Sequence, residues 1–150
     1  MKPLTREWVE KAEGDYRSAK RELTVRPPNC DLVCFLAQQC AEKYLKARLV
    51  EAGMAFSKTH DLEELLDAVA PLEPSLRKLR KQLASLTDRA VDVRYPGEWA
   101  SEEVARESFA TCQIVRHQLR GSLGVDEPPT GQMKFQIKER KARYRVRRRK

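Results

Sequence analysis

Between Leu32 and Leu49, apolar side chains leave little room for anything else. At about 100° per residue, Leu32, Val33, Cys34, Leu36, Ala37, Cys40, Ala41, Tyr44, Leu45, Ala47 and Leu49 cover well over half of a helical circumference. Gln39, Glu42, Lys43 and Lys46 recur at spacings of three, four and seven and share one narrow polar face. A surface helix has the reverse balance, an apolar stripe beside a broad polar face. The pattern predicts a helix from near Asp31 to Gly53 that is packed on two or three sides. Its polar stripe is then either the one side that meets water or the lining of a cleft. The apolar surface exceeds what one small bundle is expected to cover, so a homodimer through this helix is expected.

The flanking segments also repeat at helical intervals. Trp8, Ala12, Tyr16, Ala19 and Leu23 predict a helix from about Leu4 to Leu23, stopped by Arg26-Pro27-Pro28-Asn29. Thr59 or Asp61 caps the next helix, and Asp61 with Glu64 has the spacing of a capping box. Leu62, Leu65, Leu66 and Val69 form its core face, and Pro71 and Pro74 close it. A fourth helix, about Ser75 to Val91, presents Leu76, Leu79, Leu83, Leu86 and Ala90 inward and Arg77, Lys78, Arg80 and Lys81 outward. Arg94-Tyr95-Pro96-Gly97 forces a turn. Ser101-Glu102-Glu103-Val104 then opens a fifth helix that reaches about Gly121, with Phe109, Cys112, Val115 and Leu119 inward. Period-two alternation is absent before residue 130. The fold class expected is all-α, an antiparallel bundle of about five helices over residues 1–124, followed by a basic tail over 125–150.

The string Cys34-Phe35-Leu36-Ala37-Gln38-Gln39-Cys40-Ala41-Glu42-Lys43-Tyr44-Leu45-Lys46-Ala47 resembles the second helix of HEPN domains (higher eukaryotes and prokaryotes nucleotide-binding). Thr59-His60-Asp61-Leu62 and Arg94-Tyr95-Pro96 follow at the family's distances, and a first helix with Trp8, Ala12, Asp15 and Ala19 is similar to the family's opening. The resemblance spans roughly residues 4 to 123. It implies a small helical bundle, usually dimeric and often encoded beside a minimal nucleotidyltransferase. Nuclease members carry an arginine separated by four to six residues from a histidine near the start of the last helix. That pair stabilises charge on phosphorus and moves protons. Here Gly53-Met54-Ala55 precede His60 in that window and Ala110-Thr111-Cys112 precede His117, so the nuclease pair is missing. Arg116 and His117 are adjacent and diverge by about 100° on a helix.

Charge shifts attention to the C-terminus. Of the chain's net +8, residues 125–150 supply +7, from ten Lys/Arg against three Asp/Glu, which leaves +1 for the first 124 residues. Lys134, Lys138, Arg140, Lys141, Arg143, Arg145, Arg147, Arg148 and Arg149, interleaved with Phe135, Ile137 and Tyr144, make this tail the candidate for attracting RNA or another polyanion. Met133, Phe135 and Ile137 alternate with polar residues, as in a short strand or a segment that orders on contact; solvated disorder is the plainer alternative. Cysteines at 30, 34, 40 and 112 lack the paired CxxC spacing of a zinc site and read as buried free thiols suited to a reducing compartment. No apolar run is long enough to span a bilayer and the N-terminus has no apolar signal core, so a cytoplasmic protein without membrane attachment is expected.

The candidate binding residues are Gln39, Glu42, Lys43, Lys46, His60, Arg94 and Tyr95. Lys43 and Lys46 suit a phosphate, Gln39 a base or ribose, and Arg94 is held in a Pro-terminated turn within reach of the stripe. The plain alternatives are a solvated stripe with an ordinary Glu42–Lys46 pair, a His60 that hydrogen-bonds at a helix N-terminus, and an Arg94 buried in a salt bridge to Glu42 or Asp92. No Gly-rich phosphate loop, catalytic triad or metal cluster accompanies them, and no resident cofactor is expected; a nucleotide is the ligand to consider. The leading expectation is a non-catalytic, nucleotide- or RNA-binding HEPN protein that partners a minimal nucleotidyltransferase in a toxin–antitoxin-like setting. The alternatives are a ribonuclease toxin in which Arg94, His60 and Lys43 converge as a deviant active site, and a purely structural dimeric scaffold.

Overall fold

A computed structural model describes residues 1–125. They form α1 (Pro3–Glu22), α2 (Cys30–Glu51), α3 (Leu62–Val69), α4 (Arg80–Asp92) and α5 (Glu102–Ser122), with a 3-10 segment over Pro74–Leu79. Contacts at the helix ends fix the directions. The Lys2 amide donates to Glu51 where α1 begins and α2 ends (2.9 Å). Arg48 of α2 pairs with Glu73 ahead of α4, whereas Arg94 beyond α4 lies over Phe35 near the start of α2. Arg89 of α4 meets Glu107 of α5 (3.1 Å), and Ser75 meets Gln118 at the other end. The helices α1, α2, α4 and α5 therefore run up, down, up and down, and α3 is a short crossover. Among the described residues there is no strand; the alternating Met133–Ile137 segment lies outside them.

The helix boundaries follow local chemistry. The Asn29 side chain accepts from the Leu32 amide (3.1 Å) and caps α2. The far end of α2 closes at Gly53, whose φ of +70° is open to glycine without a Cβ penalty. The Gly53 amide donates to the Val50 carbonyl (3.0 Å) and Met54 to Leu49 (2.9 Å), the paired bonds of a Schellman closure. Asp61 caps α3 by accepting from the Glu63 amide, but Glu64 takes the Ser57 hydroxyl, so the expected capping box does not form. The fourth helix also departs from expectation. Pro74–Leu79 winds as a 3-10 turn, in which Leu76 and Leu79, three apart, eclipse on one side, and the α-helix proper starts at Arg80.

Helix α2 lies at the centre, packed by α1, α3, α4 and α5. Val33, Cys34, Ala37, Cys40, Ala41, Tyr44, Leu45, Ala47 and Leu49 are all excluded from solvent in one continuous core. The apolar excess of this helix is thus covered inside a single chain, and the reason for expecting a second copy on it falls away. Leu36 is half-buried against this core, and Leu32 is exposed in the first turn. The inward rows expected of α3, α4 and α5 are buried, and Arg77, Lys78, Arg80 and Lys81 face solvent.

Candidate binding surfaces

The polar stripe of α2 is closed, which corrects both the open-face and the cleft expectation. Glu42 and Lys46 are 4% and 6% exposed. Lys46 Nζ donates to Glu42 at 2.7 Å and sits between two rings, 5.6 Å from the centre of Trp8 and 5.8 Å from that of Phe56, which meet edge to face. Gln38, an amide on the apolar arc, donates both to Glu42 and to the His60 carbonyl, each at 3.0 Å. His60 Nδ1 lies 3.1 Å from both Glu42 oxygens. Burial alone would raise the Glu42 pKa, but hydrogen bonds from Lys46, Gln38 and His60 outweigh it and hold the carboxyl below its ordinary value. The His60 ring is 78% exposed, so it covers the carboxylate from outside. Lys43 is held by Asp15 of α1, and Gln39 donates to the Gln38 side chain at 2.8 Å. Glu42, Lys46, Gln38 and His60 thus form one clamp that Gln39 joins through Gln38, whereas Lys43 is held separately by Asp15.

A second polar cluster went unread in the sequence. Glu13 of α1 accepts from the Tyr44 hydroxyl and from Arg116 Nε (2.7 Å) and Nη2 (3.1 Å), with Arg120 Nη1 at 3.4 Å. The Arg116 guanidinium lies 4.0 Å from the centre of the Tyr16 ring, which stacks on Phe109. Burial raises the Glu13 pKa, and the Arg116 and Tyr44 hydrogen bonds reverse the effect, so its carboxyl ends below its usual value. Burial and the Glu13 bond together push the Tyr44 hydroxyl upward. The signal was present: Arg116 and Arg120 follow Cys112 and each other at intervals of four, on the inward row of α5.

Arg94 and Tyr95 lie apart from this network. Arg94 reaches α2 one turn short of the stripe, with its guanidinium 5.4 Å from the Phe35 ring centre, and it is exposed and forms no ion pair with Glu42 or Asp92. Tyr95 is 64% exposed and Trp99, which the sequence reading passed over, is 84% exposed. The turn is anchored by the Ala100 amide, which donates to Asp31 at 2.8 Å. Phe35, Arg94, Tyr95 and Trp99 therefore occupy one end of the bundle, where α2 and α5 start and α4 stops.

The model of the HEPN domain family matches residues 5–121. The chain belongs to the HEPN domain family. No curated protein and no solved structure matches it.

In this HEPN domain the three residues of the deviant-nuclease expectation do not converge: Lys43 is held by Asp15, His60 by Glu42, and Arg94 by the face of Phe35. Arg116 turns inward to Glu13 while its neighbour His117 is exposed. All four cysteines are free. Burial raises the Cys34 pKa, and a hydrogen bond with Cys112 together with burial raises that of Cys40, so both remain protonated and inert at neutral pH. Among the described residues no group of three or more His, Cys, Asp or Glu could hold a metal ion, and no helix is long and apolar enough to cross a membrane. Lys134, Lys138, Arg140, Lys141, Arg143, Arg145, Arg147, Arg148 and Arg149 lie outside the described residues.

Proposed function

We propose that this HEPN domain acts by binding single-stranded RNA, with the corner formed by Phe35, Arg94, Tyr95 and Trp99 as its base-contacting surface. The observation that carries the reading is the exposure of Tyr95 and Trp99 beside an arginine that pairs with no carboxylate among the described residues. Exposed aromatic faces stack on any base, at roughly 1–3 kcal/mol each, and a neighbouring guanidinium adds phosphate contact. The +7 tail supplies long-range, sequence-independent attraction. The tail begins beyond α5, at the end of the bundle opposite the corner. The internal commitment of the α2 stripe supports a structural rather than ligand-binding role for Glu42, Lys43 and Lys46.

A homodimer and a minimal nucleotidyltransferase partner belong to the same proposal, in a toxin–antitoxin-like setting. Sedimentation at tens of micromolar tests the first and co-purification tests the second. The stacking surface is tested by titrating labelled single-stranded RNA while following tryptophan emission. Binding is expected to quench Trp99, and Trp99→Ala and Tyr95→Ala are expected to weaken binding roughly tenfold each. Unchanged emission at saturating RNA would remove the corner from the functional account.

A further inference from the structure

A groove of about 550 Å³ runs between the last turns of α1, the loop after it and the first turns of α5. Lys20, Arg26 and Arg106 line it. They come from three separate segments, so the convergence of charge is a product of the fold. One carboxylate serves two of them: Glu102 Oε1 accepts from Arg26 Nη1 at 2.8 Å and from Arg106 Nη2 at 2.9 Å. Lys20 has no acidic partner among the described residues. The cluster thus keeps an excess of two positive charges. Each guanidinium has five N–H donors and spends one on Glu102, so most remain available.

Fold stability accounts for only part of this arrangement. A cation in the last turn of α1 complements the helix dipole, which explains Lys20, and Glu102–Arg106 is an i,i+4 pair. Arg26, by contrast, sits in the loop on a carboxylate that already has Arg106 as a partner. The remaining lining suits an organic body attached to the anion. Leu23 and Phe109 give an apolar floor, while Gln113 directs its amide nitrogen to the Tyr16 hydroxyl at 3.4 Å and its carbonyl oxygen has no partner among the described residues. The volume falls within the roughly 300–1,000 Å³ of small-ligand clefts.

We infer that this groove binds closely spaced phosphate groups, held by Lys20, Arg26 and Arg106. A nucleoside triphosphate and adjacent phosphates of an RNA strand share that chemistry. The inference does not depend on base stacking at the Trp99 corner, because the three cations and the floor are distinct from that surface.

The test uses the full 150-residue chain at about 150 mM salt, where long-range attraction is largely screened. Inorganic tripolyphosphate is titrated calorimetrically and by amide NMR. Shifts are expected at Leu23–Arg26 and Glu102–Arg106. The double variant Arg26→Gln/Arg106→Gln is expected to bind roughly tenfold or more weakly. Arg77→Gln/Lys78→Gln, which removes the same charge from the solvent side of the 3-10 turn, is expected to change binding less than about twofold. Lys20→Gln, which has no ion pair to lose, separates ligand contact from any effect of disturbing Glu102 and is expected to weaken binding as well. ATP binding tighter than tripolyphosphate assigns a nucleotide; RNA binding tighter than both assigns a strand. Equal losses in the two double variants, or shifts confined to residues beyond 125, would overturn the groove. Trp99 quenching by RNA reads the stacking corner separately, so failure of either surface is visible without the other.

Discussion

Replacing Glu42 by alanine separates a buried clamp from a surface ion pair. On an exposed helix, the i,i+4 pair with Lys46 is worth about 0.3–0.5 kcal/mol. Here the deletion leaves an ammonium group that is barely exposed, and it also removes the acceptor of Gln38 and His60. Removing one partner of a buried pair costs about 3–5 kcal/mol, because the remaining charge is uncompensated. The faces of Trp8 and Phe56, 5.6 and 5.8 Å from the ammonium, still stabilise it, which places the expected loss at the lower end, about 3 kcal/mol. For a domain of this size that corresponds to a fall in Tm of roughly 12 °C. Urea denaturation with unchanged m values measures it directly. The double variant Glu42→Leu/Lys46→Met, which removes both charges, should recover most of the loss. A loss below about 1 kcal/mol in Glu42→Ala would refute the buried clamp and restore the solvated stripe.

Acid stability follows from the same groups. Glu13 and Glu42 have folded pKa values below their unfolded value, so their contribution is complete above about pH 4.5 and is lost as pH falls through the folded values. Glu13→Gln should lower stability at pH 6 and flatten the decline between pH 5 and 3; parallel curves for variant and wild type would contradict the assignment. A thiol reagent at pH 8 should modify Cys30 in the native protein and all four cysteines only after denaturation, as mass spectrometry can count. A chain truncated after Gly124 should lose most salt-dependent RNA affinity, and the full chain should show a log–log salt slope of several units by fluorescence anisotropy; equal affinity would dismiss the tail.

The periodicity of apolar residues determined the helices and their inward rows, because a 3.6-residue repeat is a local property that survives in the linear sequence; the family resemblance rested on particular strings, Cys34–Ala47, Thr59–Leu62 and Arg94–Pro96. Ser101 and Gly53 were legible for the same reason: caps act within one turn. The role of the polar stripe was not legible. Glu42 and Lys46 have the spacing of any surface pair, and only the placement of α1 and the Ala52–Asp61 connection brings Trp8, Phe56 and His60 over them. The sufficiency of one chain to cover α2 was likewise hidden, since it depends on four helices closing around a fifth. Glu13, Tyr44 and Arg116 lie 31 and 72 residues apart in succession and become one network through packing alone. The Arg94 turn was readable as rigid, but its partner, Phe35 instead of a carboxylate, was decided by where α4 ends against α2. Lys20, Arg26 and Arg106 carry no common motif. They form a groove because α1 and α5 run antiparallel, which sets the end of one beside the start of the other.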